Sequence, residues 1–242
     1  MPDLAVVTYL WSPDPGSKYS AYGPGDVRLL QRMVARHLSV PHDFVVVTDR
    51  PEAFAGDSAI RAVPIDWTTH VPGTCYLRLM TFSPPAGRVL GRRILQLDLD
   101  TVIVGDLGPV IDRAEDLVLW RNPRKWALTF PEVGYAKALA WFNASVILLR
   151  AGTWGVIWQN FDPRNPGARD DQWLISDYAG KDCPHWDESH GVYRMGSPSR
   201  PHLGVWGALP ENARIVTFPG DSAKARLHGG CAVNTWIAEH RL

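Results

Sequence analysis

The chain has 242 residues, and 25 Lys and Arg residues balance 25 Asp and Glu residues, so its formal net charge is zero. That balance excludes proteins that bind nucleic acid through a large overall positive charge. A hydrophobic content of 45% and a charged content of 21% exclude extensive disorder and favour a sizeable core. Because no linker divides the chain, we expect one domain over residues 1–242.

The cysteines and the lengths of the apolar runs indicate where in the cell the protein is expected. The three cysteines are odd in number and widely spaced, which argues against a disulfide framework and favours a reducing cytoplasm. The N-terminus lacks the basic segment of a secretory signal. No apolar run approaches the ~18 residues of a membrane-spanning helix. We therefore expect a cytoplasmic protein without a transmembrane segment.

Short Val- and Ile-rich runs alternate with amphipathic patterns, as in α/β domains whose mostly parallel central sheet is flanked by helices. The predicted strands are residues 4–10, 44–48, 60–65, 94–97, 102–104, 117–120, 145–149 and 214–218. Helices are predicted from residue 26, with Asp26 as the N-cap, over residues 74–82, from residue 153, and over residues 170–178. This alternation predicts a Rossmann-like sheet.

An acidic pair follows the predicted strand 94–97. Side chains alternate along extended chain, so Asp98 and Asp100 point the same way while Leu99 points to the other face. Ligands of open parallel sheets bind outside the carboxyl ends of the strands. Two carboxylates at that edge suit a hard cation such as Mn²⁺ or Mg²⁺, which can bridge diphosphate oxygens. We predict Asp98 and Asp100 as metal ligands.

Two chemistries fit this acidic pair. One is glycosyl transfer from a nucleotide sugar. The other is phosphate-ester hydrolysis, because Asp-Leu-Asp-Thr-Val also matches a DxDx(T/V) pattern in which Asp98 is the nucleophile. That pattern normally lies on a first strand, whereas 97 residues precede it here. The hydrolysis chemistry also needs a downstream lysine, for which Lys125 and Lys181 are the candidates. It further needs a second acidic pair, which would have to be Asp170 with Asp171.

Four further segments surround this pair in a defined order. They are Val-Val-Thr-Tyr-Leu-Trp at 6–11, Tyr-Leu-Arg-Leu at 76–79, Trp-Phe-Asn-Ala-Ser-Val-Ile-Leu-Leu at 141–149, and Asp-Gln at 171–172. Together with the acidic pair they resemble the GT-A-fold glycosyltransferases, particularly glycosyltransferase family 8 and related bacterial proteins. The resemblance spans roughly residues 4–224 and implies a single GT-A-like domain with hexosyltransferase activity.

The resemblance also implies roles for individual residues. The positions that would contact the nucleotide, its ribose or its phosphates are Thr8, Tyr9, Trp11, Arg78, Asp98 and Lys224. The positions that would line the sugar pocket and take part in catalysis are Asn143, Asp171 and Gln172.

One position departs from the family pattern. Pro219 stands where family members usually carry a His that completes the metal site, and proline has no ligating side chain. His228 is a weak substitute, while Lys224 remains available for the phosphates. The departure motivates a second hypothesis, a nucleotide- or sugar-binding protein that has lost catalysis.

The sequence thus predicts a metal-dependent glycosyltransferase. By resemblance, the donor is a UDP-sugar, the acceptor is a carbohydrate or a lipid-linked molecule, and the transfer retains anomeric configuration. The alternatives are the inactive binding protein and the phosphohydrolase. Among the tryptophans, Trp154 and Trp158 are predicted to lie in the core, whereas Trp186 and Trp206 are candidates for the acceptor site.

Overall fold

The computed structural model describes residues 3–12, 22–65, 75–122, 140–162, 170–196, 204–218 and 234–241. The strands are β1 (Leu4–Leu10), β2 (His42–Thr48), β3 (Arg61–Pro64), β4 (Arg93–Leu97), β5 (Thr101–Ile103), β6 (Leu117–Arg121), β7 (Phe142–Arg150), β8 (His185–Trp186), β9 (Val192–Arg194) and β10 (Ile215–Thr217). The α-helices are α1 (Pro24–His37), α2 (Ala86–Val89), α3 (Gly108–Ile111), α4 (Gly155–Gln159), α5 (Asp171–Ala179) and α6 (Trp236–Arg241). Within these described ranges, three 3-10 helices span Pro51–Phe54, Cys75–Phe82 and Glu188–His190.

Seven strands form the central sheet in the order β3-β2-β1-β4-β7-β6-β8. Strands β3, β2, β1 and β4 run parallel to one another, and β8 runs parallel to β6. Three shorter strands form a second sheet in the order β5-β10-β9. The prediction of a mostly parallel central sheet flanked by helices is confirmed.

Strand β7 runs antiparallel to both of its neighbours, β4 and β6. Its start therefore lies at the same edge as the end of β4. The pairing of β7 with β6 also contains a bulge, because Leu119 pairs with Ile147 while the next residue, Trp120, pairs with Asn143. The three intervening residues of β7 have no partner on β6, although Val146 still pairs with β4. Bulges of this kind re-aim side chains next to functional sites.

The two faces of the central strands bury different core clusters. On β1 and β4, Val6 and Leu95 pack on the face covered by α1, and Val7 and Ile94 pack on the opposite face. All four side chains are fully buried. Strands buried on both faces are nearly continuous apolar runs, which explains why residues 4–10 and 94–97 were recognisable from sequence. A polar residue in such a strand therefore needs a partner within the core.

The 3-10 helix Cys75–Phe82 delivers polar side chains to the sheet edge. Side chains three residues apart eclipse one another in such a helix. One row faces the end of β4 and contains Cys75, Arg78 and Thr81. A second row packs into the cluster beneath β6 and β7 and contains Tyr76, Leu79 and Phe82. This three-residue repeat explains the 3-10 geometry, and the helix predicted over residues 74–82 is confirmed in position.

Several predicted boundaries differ from those observed. Helix α1 begins at Pro24 with Gly23 as its N-cap, and the Asp26 carboxylate accepts a hydrogen bond from the Gly23 amide at 2.9 Å. The prediction of Asp26 as N-cap was therefore wrong by three positions, because a capping box places its acidic residue inside the first turn. The helix predicted from residue 153 is only the short α4, preceded by Trp154. Among the described residues, no helix has both the length and the apolarity to cross a membrane.

Helix α6 packs against α1 through charged and aromatic contacts. The Arg36 guanidinium donates to the backbone carbonyl of His240, with Nη1 and O 3.4 Å apart. Arg241 Nη2 lies 3.5 Å from Asp26 Oδ1. The imidazole rings of His37 and His240 lie 6.1 Å apart between centroids. The imidazoles of His37 and His240, which become cationic in acid, therefore face each other beside the permanently charged Arg36.

We expect acid to weaken this packing. Burial lowers the pKa of His37 and of His240, and each is lowered further by Arg36, while Asp106 and Glu239 oppose the effect. The folded chain then binds fewer protons than the unfolded chain below the ordinary His pKa of 6.5. The free energy of unfolding should be at its full value above that pH and should decline as pH falls through it. Urea denaturation between pH 7.5 and 5 measures this decline. Replacing both His37 and His240 by Asn should flatten it, and an unchanged slope would contradict the assignment.

Candidate functional site

The predicted acidic pair lies at the carboxyl end of β4. The Asp98 amide donates to the Ser145 carbonyl at 3.0 Å, which extends the pairing of β4 with β7 by one residue. Asp100 is nine-tenths buried, and its carbonyl accepts a hydrogen bond from the Phe218 amide at 2.7 Å. Both aspartates are therefore fixed by backbone pairing to neighbouring strands. This position is the edge at which open α/β sheets bind ligands.

The guanidinium of Arg78 joins two carboxylates at this edge. Its Nη1 donates to Asp98 Oδ2, and its Nη2 donates to Asp171 Oδ1 at 2.8 Å. Its Nε donates to the Cys75 carbonyl at 3.4 Å. The Ser145 hydroxyl donates to the same Asp98 oxygen at 2.9 Å. The 3-10 helix, β4, β7 and α5 therefore meet at one charged row, consisting of Asp171, Arg78, Asp98 and Ser145.

Helix α5 presents Asp171 to this row because of its N-cap. The Asp170 carboxylate accepts a hydrogen bond from the Trp173 amide, with N and Oδ1 3.1 Å apart. Capping by Asp170 makes Asp171 the first helical residue, and Asp171 is fully buried. An acidic side chain is favourable at a helix N-terminus because of the macrodipole. Gln172 is partly exposed at the same terminus, and its amide donates to Asp170 at 3.3 Å.

Burial and pairing act in opposition on the ionisable groups of the charged row. Burial alone would lower the pKa of Arg78, but the carboxylates of Asp171 and Asp98 hold it well above its ordinary value. Burial raises the pKa of Asp171, and the Arg78 guanidinium opposes that shift. Burial and the nearby Asp171 carboxylate raise the pKa of the Cys75 thiol to about 12. The guanidinium is therefore the group that opposes protonation of the buried carboxylate.

Tyr22, at the start of α1, lies within electrostatic range of the acidic pair. Burial raises the pKa of its phenol, and the negative charges of Asp100 and Asp98 raise it further. The phenol is therefore protonated beside two carboxylates. Asp98, Asp100 and Asp171 carry three formal negative charges, whereas Arg78 carries one positive charge. This edge of the sheet therefore favours the binding of a cation.

The donor atoms of the acidic pair suit a hard divalent cation. Carboxylate oxygens are the ligands that Mg²⁺ and Mn²⁺ prefer. One Asp98 oxygen accepts hydrogen bonds from Arg78 and Ser145, which orient that carboxylate as hydrogen-bond partners orient the ligating side chains of metal sites. Within the described ranges, no group of three or more His, Cys, Asp and Glu side chains is arranged to hold a metal. The acidic pair thus fits such an ion in chemistry, and the assignment of Asp98 and Asp100 as metal ligands stays a prediction.

The residues predicted at the end of β1 lie mainly inside the protein. Thr8 is fully buried, and Tyr9 is 4% exposed with its hydroxyl 2.8 Å from Thr81 Oγ1. Trp11 is partly buried against the core cluster that contains Tyr9, and the Ser12 amide next to it donates to Asp49. Trp11 is therefore the most accessible of the three. Their contacts with a nucleotide stay predictions.

Asn143 lies at the start of β7, and its side-chain oxygen accepts a hydrogen bond from the Ser145 amide at 2.8 Å. This bond shapes the bulged segment beside Asp98. The structure thus brings Asn143, Arg78, Asp98, Asp100 and Asp171 to one edge. Lys224, Pro219 and His228 lie outside the described residues, so the phosphate contact and the third metal ligand stay predictions.

The predictions for individual tryptophans have different outcomes. Trp154 and Trp158 pack, partly buried, on the cluster beneath β6 and β7. Trp186 is fully buried in the core on the α1 side of the sheet, so its assignment to an acceptor site was wrong. It belongs to β8, a two-residue strand too short to give a sequence pattern. Trp206 packs, partly buried, on the same core.

Sequence reasoning missed Ser145 and Cys75 as members of the site. Ser145 stands opposite Asp98 only because β7 runs antiparallel to β4, and a run of apolar residues gives no strand direction. Cys75 approaches Asp171 because the helix that carries it repeats every three residues rather than every 3.6. The Asn-Ala-Ser segment belongs to the resemblance, which implies a role for its Asn but none for its Ser.

The fold with this acidic edge is that of the GT-A glycosyltransferases. No protein-family model and no curated protein sequence matches the chain. Solved structures match it along almost its full length. At the sequence identities involved the similarity establishes the fold, and the predicted GT-A-like architecture is confirmed.

Three of these structures are informative. The galactosyltransferase LgtC in complex with donor and acceptor sugar analogues matches with a TM-score of 0.61 at 13% identity, covering 98% of this chain and 95% of LgtC. An active-site glutamine-to-glutamate variant of LgtC gives 0.60 at 13% identity, over 97% and 94% of the two chains. The apo form of the glycosyltransferase GlyE from Streptococcus pneumoniae TIGR4 gives 0.60 at 13% identity, covering 100% of this chain and 60% of GlyE.

Removing the Arg78 guanidinium should destabilise the fold severely. Arg78→Met leaves the fully buried Asp171 without its cation, and breaking a buried ion pair costs about 3–5 kcal/mol. Arg150→Met is the matched control, because Arg150 and Asp116 form a 2.7 Å ion pair in which both side chains are more than half exposed. The control should lose a small fraction of that amount. Urea denaturation of both variants measures the difference, and equal losses would contradict the importance of the buried pair.

Proposed function

We propose that the protein is a metal-dependent glycosyltransferase that transfers a sugar from a UDP-sugar to a carbohydrate or lipid-linked acceptor, with retention of anomeric configuration. The observation that carries the proposal is the acidic pair at the end of β4 of a GT-A fold, in which Asp98 is held by Arg78. Neighbours with this fold are named glycosyltransferases, and the LgtC structure contains donor and acceptor sugar analogues. UDP and retention come from the resemblance of the motifs to family 8.

The charge at the sheet edge supports metal dependence. A nucleotide diphosphate is an anion, and three carboxylates against one guanidinium repel it. A divalent cation on Asp98 and Asp100 would neutralise the departing diphosphate and supply electrostatic stabilisation in the transition state. Arg78 and Ser145 would hold the Asp98 carboxylate in place for that ion. Because two protein carboxylates leave most coordination positions open, diphosphate oxygens would fill several of them.

The chain's own residues would hold the site together and position the donor. Arg78 has its guanidinium committed to two carboxylates and the Cys75 carbonyl, so its role is to hold the site together. Gln172 is partly exposed at the N-terminus of α5 and is available to contact the sugar. Asn143 would line the same pocket through the bulged start of β7. Lys224 would add positive charge at the phosphates.

The phosphohydrolase alternative gains no support from the described residues. A nucleophilic Asp98 would need a nearby lysine, but Lys181 is exposed and paired with Asp182 at 2.7 Å, and Lys125 lies outside the described residues. Asp170 and Asp171 begin a helix, and the second of them faces Arg78 in the core. These positions suit a structural clamp for the acidic pair. We retain the cytoplasm as the proposed location because Cys75 and Cys183 are free thiols.

Thermal unfolding with nucleotides tests the proposal directly. The purified protein is heated with UDP, GDP, CMP or ADP, each with Mn²⁺ or with EDTA. A ligand at about 100 times its dissociation constant stabilises the folded state by roughly 2.7 kcal/mol. We expect a rise in melting temperature with UDP that requires Mn²⁺. The same rise in EDTA would contradict metal dependence, and no rise with any nucleotide would contradict a donor site. Binding without sugar release over long incubation would identify the inactive binding protein.

Loss of the second carboxylate should abolish turnover while the fold survives. Asp100→Asn keeps the shape of the side chain but removes one anionic metal ligand, so hydrolysis or transfer of the UDP-sugar should fall by at least about 100-fold, the scale of losing a transition-state contact. Asp112→Asn is the control, because Asp112 is exposed beyond α3. Product formation and melting temperature are measured for both variants. Unchanged activity in Asp100→Asn would remove the metal-site assignment.

The partly exposed side chain of Gln172 provides a separate test of the sugar pocket. Gln172→Ala should lower kcat by about 10-fold to 100-fold, because a contact made in the transition state is lost, and should leave UDP affinity nearly unchanged. Gln159→Ala, at the exposed end of α4, serves as the matched control. Steady-state kinetics and UDP titration separate the two effects. Equal kinetics in both variants would place Gln172 outside the sugar pocket.

A further inference from the structure

A buried chain of uncharged hydrogen bonds runs beside the charged row. The Tyr9 hydroxyl lies 2.8 Å from Thr81 Oγ1, the Thr81 hydroxyl donates to Gln96 Oε1, and the Gln96 amide donates to the Ala144 carbonyl at 3.4 Å. Tyr9 is 4% exposed, and the side chains of Thr81 and Gln96 are inaccessible to solvent. We call Tyr9, Thr81, Gln96 and Ala144 the neutral row. It connects β1, the 3-10 helix, β4 and β7.

The direction of these hydrogen bonds follows from the donors available. Thr81 has one hydroxyl proton and gives it to Gln96, so Tyr9 is the donor to Thr81. Burial raises the pKa of Tyr9, which keeps that phenol protonated. Every member of the neutral row thus passes a hydrogen bond in one direction, from β1 towards β7. A buried row of this kind allows one arrangement of its side chains.

The neutral row and the charged row use the same elements in register. Thr81 follows Arg78 by three residues, so the two side chains eclipse on the 3-10 helix. Gln96 precedes Asp98 by two residues, so their side chains point to the same face of the extended chain. The bond from Thr81 to Gln96 therefore joins the 3-10 helix to β4, and the bond from Arg78 to Asp98 joins the same helix to the end of that strand. Ala144 and Ser145, consecutive residues of β7, lie at the far ends of the two rows. The Ala144 carbonyl accepts from Gln96, whereas the Ser145 hydroxyl donates to Asp98.

We propose that Tyr9, Thr81 and Gln96 are positioning residues that fix the Arg78 guanidinium on Asp98. A 3-10 helix has poorer hydrogen-bond geometry of its own than an α-helix, so its rotation relative to the sheet depends on tertiary contacts. The Thr81–Gln96 bond sets that rotation one turn away from Arg78. Its consequence for sugar transfer rests on the proposed function, whereas its consequence for Arg78 is a property of the folded chain alone.

Removing the Thr81 hydroxyl breaks the neutral row at its centre. Thr81→Val preserves the shape of the side chain, but Tyr9 loses its acceptor and Gln96 Oε1 loses its donor. Thr81→Ser retains the hydroxyl and serves as the conservative variant. Thr48→Val is the matched control, because Thr48 is also inaccessible to solvent but its hydroxyl only accepts from the Arg50 amide at 3.1 Å. Tyr9→Phe is a milder variant that keeps the ring in place.

Nitrogen-15 NMR of arginine side chains tests the positioning without any substrate. A guanidinium held by two carboxylates rotates slowly, so its Nη groups should give separate signals, identified as Arg78 by their loss in Arg78→Lys. We expect these signals to coalesce in Thr81→Val, to broaden in Tyr9→Phe, and to stay separate in Thr81→Ser and Thr48→Val. Separate Arg78 signals in both Thr81→Val and Tyr9→Phe would overturn the proposal, even if one of the two proved hard to fold.

Turnover of the UDP-sugar with Mn²⁺ tests the functional consequence. Thr81→Val should lower kcat by about 10-fold to 100-fold, the scale of a misplacement on the order of 1 Å, with little change in KM. In an Arg78→Lys background the same substitution should have no further effect, because its action passes through Arg78. Additive losses would show a merely structural role and overturn the proposal. If wild-type protein turns over no nucleotide sugar while the NMR result holds, the proposed function fails and the positioning stands.

Discussion

The site depends on one buried cation. Taking a guanidinium out of water is costly, and the cost is recovered only when carboxylates and carbonyl groups surround it closely. Arg78 meets that requirement with Asp98 on the sheet, Asp171 on α5 and the carbonyl of Cys75 on its own helix. Because moving any one of these elements would leave a buried charge without its partner, the contacts of Arg78 fix three elements relative to one another.

The fold class and the acidic pair were predictable because both leave local patterns. Strands buried on two faces are apolar runs, and a pair of aspartates directly after such a run is visible in the sequence. Helix α5 was equally recognisable, because Asp170 is a capping residue before a helical segment. The GT-A architecture could be predicted from these elements and from the order of the motifs.

The connections between elements were not predictable, because they join residues distant in sequence. Arg78 and Asp171 are separated by 93 positions, and nothing near either residue indicates its partner. Tyr9 was assigned to a nucleotide contact from its place at a strand end, yet its hydroxyl is used inside the core by Thr81. Polar side chains in a buried strand indicate that a partner exists but not which one.

The bulge in β7 allows residues at the edge of the sheet to change without changing the strand pairs that flank them. Leu119 and Trp120 of β6 pair with residues on either side of the bulge, so β7 has three extra residues between these two pairs. One of the three extra residues is Ser145, which contacts Asp98. An insertion or deletion among these three residues would exchange the side chain presented to the acidic pair while both flanking pairs keep their partners. The chain therefore has a short segment in which evolution can alter the chemistry of the pocket by changing length rather than by replacing the scaffold.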